Sequence, residues 1–129
     1  MRFVTFESGG KPTVGVRLGD EVVDLSKADA SLPDSVLGLI EAGDGALKAA
    51  QKAAEAASER LAFDRLSFCP VIPRPPKIIC IGLNYAAHAA EGGHDRPTFP
   101  SFFMRGATSL TGHKKPIVRP KVSETLDYE

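Results

Sequence analysis

The sequence has no tryptophan and only two cysteines in 129 residues. Two cysteines cannot frame a disulfide-stapled scaffold, and neither Cys69 nor Cys80 belongs to a Cys-x-x-Cys pair of the kind that binds zinc. Both lie among apolar residues, which predicts buried, reduced thiols and a cytoplasmic protein. Net charge is also missing: sixteen basic residues balance sixteen acidic ones. A general polyanion-binding face needs concentrated positive charge, so nucleic acid is not an expected partner. No apolar run approaches the ~20 residues that span a bilayer, so no membrane association is expected. Met1 leads straight into Arg2-Phe3-Val4-Thr5-Phe6, without the apolar run and small-residue cleavage site of a secretory leader. Several catalytic signatures are absent too. There is no Gly-x-Gly-x-x-Gly turn and no Gly-x-Ser-x-Gly elbow, and His88, His94 and His113 do not have zinc-ligand spacing.

What is present reads as an ordinary globular chain, 43% hydrophobic and 25% charged, which sets aside collagen-like, disordered and membrane classes. The first stretch is β-prone. Residues 1–6 and 13–18 read as strands, with a loop at Ser8-Gly9-Gly10-Lys11-Pro12 between them. Gly19-Asp20 then separates the second run from 21–25, as in a tight hairpin with a type I′ or II′ turn. From Pro33 the period becomes helical. Val36, Leu37 and Ile40 share a face before Gly43 ends the run. Asp44 is placed to cap a second helix through about Arg60, whose stripe of Leu47, Ala50, Ala54, Ala57 and Leu61 suits packing on a sheet. Pro70, Pro73, Pro75 and Pro76 mark an extended linker. The apolar run 77–82 then reads as a strand buried on both faces. The expected organisation is α+β: a small N-terminal β-hairpin/helix domain over 1–70, then linker and a second domain over 71–129. The end at Leu126-Asp127-Tyr128-Glu129 has no cap, tail or turn and reads as an interruption.

Candidate chemistry concentrates after residue 82. Residues 86–91 favour a short helix, closed by Gly92-Gly93, and His88 and Glu91 share one of its faces at a spacing of three. A carboxylate beside an imidazole fixes its tautomer and raises its basicity, leaving the other ring nitrogen to take a proton from water. The flanking glycines would let the helix move as a lid. An exposed surface pair has the same spacing. Arg105 follows the apolar run Phe102-Phe103-Met104, where a guanidinium can clamp a substrate carboxylate or form a structural ion pair. Ser109 and Gly112 lie in the loop beyond it. Asp127 and Glu129 offer oxygen ligands for a hard divalent cation, or plain surface charge.

In order and spacing, the string over 77–129 resembles the fumarylacetoacetate hydrolase family. It comprises the strand, Gly82-Leu83-Asn84-Tyr85, His88-x-x-Glu91, Pro100, Phe102-Phe103 and Arg105, then Ser109, Gly112, Ile117, Pro120, Ser123 and Leu126-Asp127-Tyr128-Glu129. The resemblance implies a mixed β-roll catalytic domain, of which this chain holds the opening segment. It also implies Mg²⁺, or Mn²⁺ or Ca²⁺, bound in part by Glu129 as the first of the family's metal-ligand glutamates, with further ligands and a catalytic Lys beyond this sequence. His88 and Glu91 match the lid dyad, and Arg105, Ser109, Asn84 and Tyr85 fall at substrate-binding positions. The implied activity is metal-dependent cleavage of C–C bonds, decarboxylation or isomerisation of small oxo-acids such as acylpyruvates, by a homodimer. The 129-residue piece by itself is expected to be inactive. A different class competes: a non-catalytic assembly or binding module, using the hairpin or the second helix.

Overall fold

Alternation and turn chemistry build the first sheet. The computed structural model describes residues 1–95 and 97–126. Strands β1 (Arg2–Ser8), β2 (Lys11–Leu18), β3 (Glu21–Asp24) and β4 (Leu61–Ala62) form an antiparallel sheet in the order β1-β2-β3-β4. Gly9 and Gly10 both have positive φ, as a type I′ turn demands, so the expected loop is a two-residue hairpin in which Ser8 pairs with Lys11. At the next hairpin Leu18 pairs with Glu21, and only Gly19 of the two turn residues has positive φ, which selects type II′.

Both faces of this sheet are covered. Val14, Val16 and Val23 pack on one side with Leu25, Val36, Leu39, Ala50 and Ala54, while Phe6 and Val22 meet Phe68 on the other. Gly15 makes the second arrangement possible. A methyl group there would lie 2.7 Å from Val22 Cγ1 and 3.0 Å from a Phe6 ring carbon, closer than packed carbons come.

Three helices follow: α1 (Leu25–Ala28), α2 (Val36–Glu41) and α3 (Asp44–Ala56). Asp24 ends β3 and caps α1, its carboxylate accepting from the Ser26 N–H at 2.9 Å and the Ser26 hydroxyl at 2.6 Å. The helical stretch differs from the sequence expectation in detail. In α2 the buried pair is Val36 and Leu39, and Ile40 is 53% exposed. Gly43, with φ +78°, takes the N-cap of α3 and Asp44 is its first residue. Asp44 there complements the helix dipole in place of capping it. The helix stops at Ala56, and Leu61 leaves the stripe to pair with Val22 in the sheet. Ala50 and Ala54 are fully buried, with Leu47 and Ala57 beside them.

The chain forms two compact units, Met1–Pro73 with the segment from Thr111 onward, and Arg74–Leu110. Part of the proline-rich stretch is seated against β1. Cys69 donates its N–H to the Thr5 carbonyl at 2.9 Å, and the Thr5 hydroxyl donates to the Val71 carbonyl at 2.6 Å. Cys69 and Cys80 are half-buried free thiols, less enclosed than their neighbours in sequence suggest. Burial, and secondarily the Glu7 carboxylate, push the Cys69 thiol up from its ordinary pKa against the pull of Lys115.

Within the same unit, Gly112 lies on the Phe68 backbone and His113 packs edge-on to the Phe68 ring, centroids 5.7 Å apart. Lys115 Nζ reaches Glu7 Oε1 at 3.3 Å. The second unit is a two-stranded antiparallel ribbon, β5 (Ile79–Gly82) with β6 (Ser101–Met104), joined through α4 (Ala86–Glu91). The apolar run of β5 is not buried on both faces as expected. Ile79 is 60% and Ile81 50% exposed; β5 belongs to a two-stranded ribbon, which is too narrow to bury its own faces.

Candidate functional site

Most of the candidate residues fall in the second unit, around the segment that joins β5 to β6. Gly82 ends the strand and Leu83 follows with φ +51°, a left-handed conformation that costs a branched side chain about 1–2 kcal/mol. Tyr85 occupies the N-cap of α4 and provides no side-chain bond to the helix; its carbonyl accepts the Ala89 N–H at 3.1 Å. The C-terminus is closed better. Gly93 has φ +68°, its N–H bonds the Ala90 carbonyl at 3.1 Å, and the His94 N–H bonds the Ala89 carbonyl at 2.9 Å. This pair of bonds is a Schellman motif, the ending that Gly92-Gly93 predicts.

A six-residue helix does not hold itself together in water, so its packing decides its existence. Ala89 is the one buried residue of α4, at 2% exposure. Ala86 and Ala89 line a cleft of about 560 Å³, together with Ile81, Leu83, Asn84, Phe99 and Phe102. His88 and Glu91 point elsewhere. At 100° per residue their common direction lies roughly 160° round the helix from that of Ala86 and Ala89. Both are exposed, and among the described residues no hydrogen bond joins them. The helix therefore seats Ala89 on its own unit and presents the imidazole and carboxylate outward. The cleft and the two titratable groups are on opposite sides of α4.

The remaining candidates divide. Asn84 lines the cleft and is exposed, as is Tyr85. Arg105 and Ser109 are brought together: Arg105 Nε donates to Ser109 Oγ at 3.4 Å, and that hydroxyl donates to the Gly106 carbonyl at 2.8 Å. The Arg105 N–H also bonds the Ile78 carbonyl at 3.2 Å, which extends the ribbon by one step. Glu129, the proposed metal ligand, lies outside the described residues. Among the described residues no three His, Cys, Asp or Glu side chains converge as a metal site would require, and no helix is long and apolar enough to cross a membrane. The left-handed Leu83 was not among the residues expected from the sequence. Its only signal was position, a bulky residue between a strand and an uncapped helix.

Residues 77–129 match the family described as fumarylacetoacetate (FAA) hydrolase C-terminal. Among curated proteins, the whole chain is 35% identical to 42% of the oxaloacetate tautomerase fahd2, mitochondrial, of Xenopus laevis. It is 36% identical to 49% of the oxaloacetate tautomerase YisK of Bacillus subtilis. The chain thus spans between two-fifths and half of the length of these relatives. Two solved structures are similar over 94% of this chain. A putative HpcE protein from Mycobacterium smegmatis superposes with a TM-score of 0.70 at 26% identity, over 41% of its own chain. The maleylpyruvate hydrolase of Sphingobium sp. SYK-6, in complex with manganese(II) and pyruvate, does so with a TM-score of 0.67 at 25% identity, over 43% of its chain.

Proposed function

The chain belongs to the fumarylacetoacetate hydrolase family, and on that footing we propose that it forms the N-terminal part of a metal-dependent enzyme acting on small oxo-acids. The carrying observation is the seating of α4: Ala89 is buried on the cleft side, and His88 and Glu91 stand exposed on the other side, where a substrate can be faced. In this reading His88 moves the proton and Glu91 orients the imidazole. For keto–enol tautomerisation of an oxo-acid, the ring takes a proton from the carbon beside the carbonyl, and a proton is returned at the carbonyl oxygen. For C–C hydrolysis of an acylpyruvate, the same ring takes a proton from water as its oxygen adds to the carbonyl; collapse of that adduct breaks the C–C bond to leave a carboxylic acid and the pyruvate enolate, and the ring returns its proton to the enolate carbon. The tautomerase and maleylpyruvate hydrolase relatives support this pair of reactions over decarboxylation. Arg105, placed by Ser109, is proposed to bind the substrate carboxylate, with Asn84 and Tyr85 beside the helix.

A divalent ion is proposed as cofactor on the strength of the manganese in the similar hydrolase, and it would supply charge stabilisation for the enolate oxygen. The described residues do not themselves form a site for it, so the chemistry assigned to this chain is proton transfer and carboxylate binding. A homodimer and a cytoplasmic location complete the proposal.

The test is to express the complete gene product, load it with Mg²⁺ or Mn²⁺, and follow oxaloacetate enol decay and acylpyruvate cleavage. His88→Ala should lower kcat by about 10²–10⁴ while leaving the fold intact, the range of a lost general acid–base group. Wild-type turnover in His88→Ala, or no turnover by the wild type on either class, would refute the assignment.

A further inference from the structure

We infer that Leu83 is the positioning residue for α4, the residue that sets which way His88 and Glu91 face; their chemical role is taken from the proposed function above. Among the described non-glycine residues, only Leu83 and Lys114 have positive φ. Lys114 is the third residue of a turn closed by the Lys115 N–H on the Gly112 carbonyl at 3.0 Å, a place where type II turns require that conformation. Leu83 is a turn residue as well, so a turn is common to both positions. It stands between the last residue of β5 and the uncapped start of α4.

The neighbouring residue sharpens the point. Gly82 would adopt the left-handed region at no steric cost, yet its φ lies outside that region and the leucine takes it. A turn alone would be made more easily with the two residues exchanged. The side chain at 83 must therefore do something a glycine cannot. It is half-buried and lines the cleft that Ala86 and Ala89 also line.

The rest of the hold on α4 is slight. It has one buried side chain and no side-chain bond at its N-terminus, with its secure closure only at Gly93. An element so lightly attached opens easily unless the chain entering it is fixed. The left-handed step at Leu83 fixes the direction of entry, and its side chain lines the cleft on the Ala86 and Ala89 side of the helix. The outward direction of the dyad follows from both.

The experiment compares Leu83→Gly, Leu83→Ala and Leu83→Met in the complete gene product, alone and with His88→Ala. Leu83→Gly removes backbone strain together with the side chain, so it should fold, and Leu83→Ala provides a second truncation. Hydrogen exchange reads the helix directly. The Ala89 and His94 amides should exchange at least about tenfold faster in both truncations, with the Arg105 amide of the ribbon unchanged. In the same variants kcat should fall about tenfold at constant KM, with nothing further lost in the His88→Ala background, as coupled positions require. Leu83→Met should restore both readouts.

Unchanged exchange in α4 would overturn the inference. So would a kcat loss that persists in full when His88 is already alanine. If exchange rises in the truncations but His88→Ala turns over like the wild type, the positioning of the helix stands and the dyad's chemical role falls.

Discussion

Replacing Gly112 with alanine should detach the segment that returns to the first unit. A Cβ at this position would overlap the Phe68 carbonyl oxygen, with the carbonyl carbon 2.7 Å and Cys69 Cα 3.2 Å away. All three atoms are backbone, and that backbone cannot retreat. Phe68 bridges Phe6, the Glu7 N–H bonds the Ser67 carbonyl at 2.9 Å, and the Cys69 N–H bonds the Thr5 carbonyl at 2.9 Å. Overpacking against rigid neighbours falls toward the upper part of its usual cost, about 2–3 kcal/mol. Release of the segment offers an alternative of similar size. It gives up the His113 contacts with Phe63 and Phe68, worth about 0.5–1.5 kcal/mol. It also gives up the half-exposed Lys115–Glu7 pair, worth at most about 1 kcal/mol.

The expected loss is therefore about 2 kcal/mol, seen as a fall in Tm of roughly 4–12 °C for a chain of this size. Thermal and urea unfolding measure it, and exchange of the Lys115 amide, bonded to the Gly112 carbonyl at 3.0 Å, shows whether the segment has left. Gly45→Ala is the matched control: nothing lies within 4 Å of its added methyl on α3, and it should stabilise by about 0.5–1 kcal/mol. A Gly112→Ala protein within about 0.5 kcal/mol of wild type, with the Lys115 amide still protected, would refute the close-approach reasoning.

Three other outcomes follow from packing and charge. Gly15→Ala should cost about 1–3 kcal/mol, since its methyl meets Val22, the Val23 carbonyl and Phe6 at once; chemical denaturation reads it directly. The Ser31 hydroxyl and N–H hold the Asp29 carboxyl below its ordinary pKa. A depressed carboxylate stabilises the fold above its unfolded pKa and loses that contribution as pH falls through the folded value. Ser31→Ala should accordingly move the Asp29 titration upward in an NMR pH series, and the stability difference between the two proteins should vanish in acid. Burial and Glu7 keep the Cys69 thiolate scarce, so at pH 8 Cys69 should alkylate more slowly than a free thiol, and faster in Glu7→Gln.

The parts of this fold that the sequence foretold are those whose signal is local. Gly19-Asp20 between two β-prone runs is a two-residue hairpin because few other loops fit that spacing, and Gly92-Gly93 ends a helix because one of them can turn left-handed. The errors arose where a local pattern needs knowledge of what packs on it. Ile79 and Ile81 carry the composition of a fully buried strand, but composition cannot say how many strands lie alongside, and among the described residues there is one. Leu61 has the helical period of Leu47 and Ala57, and pairing with Val22 outweighs it.

The candidate site shows the same limit more sharply. His88 and Glu91 share a helical face by spacing alone, and α4 exists as expected. Which side of α4 faces inward could not be read, because Ala86, Ala87, Ala89 and Ala90 surround the pair and give the helix no apolar contrast from one side to another. A helix without amphipathic bias takes its rotation from its ends. One end is the Schellman closure at Gly93, and the other is a leucine in a conformation it avoids. The outward face of the imidazole is therefore decided outside the helix that carries it, by a residue with no titratable group of its own.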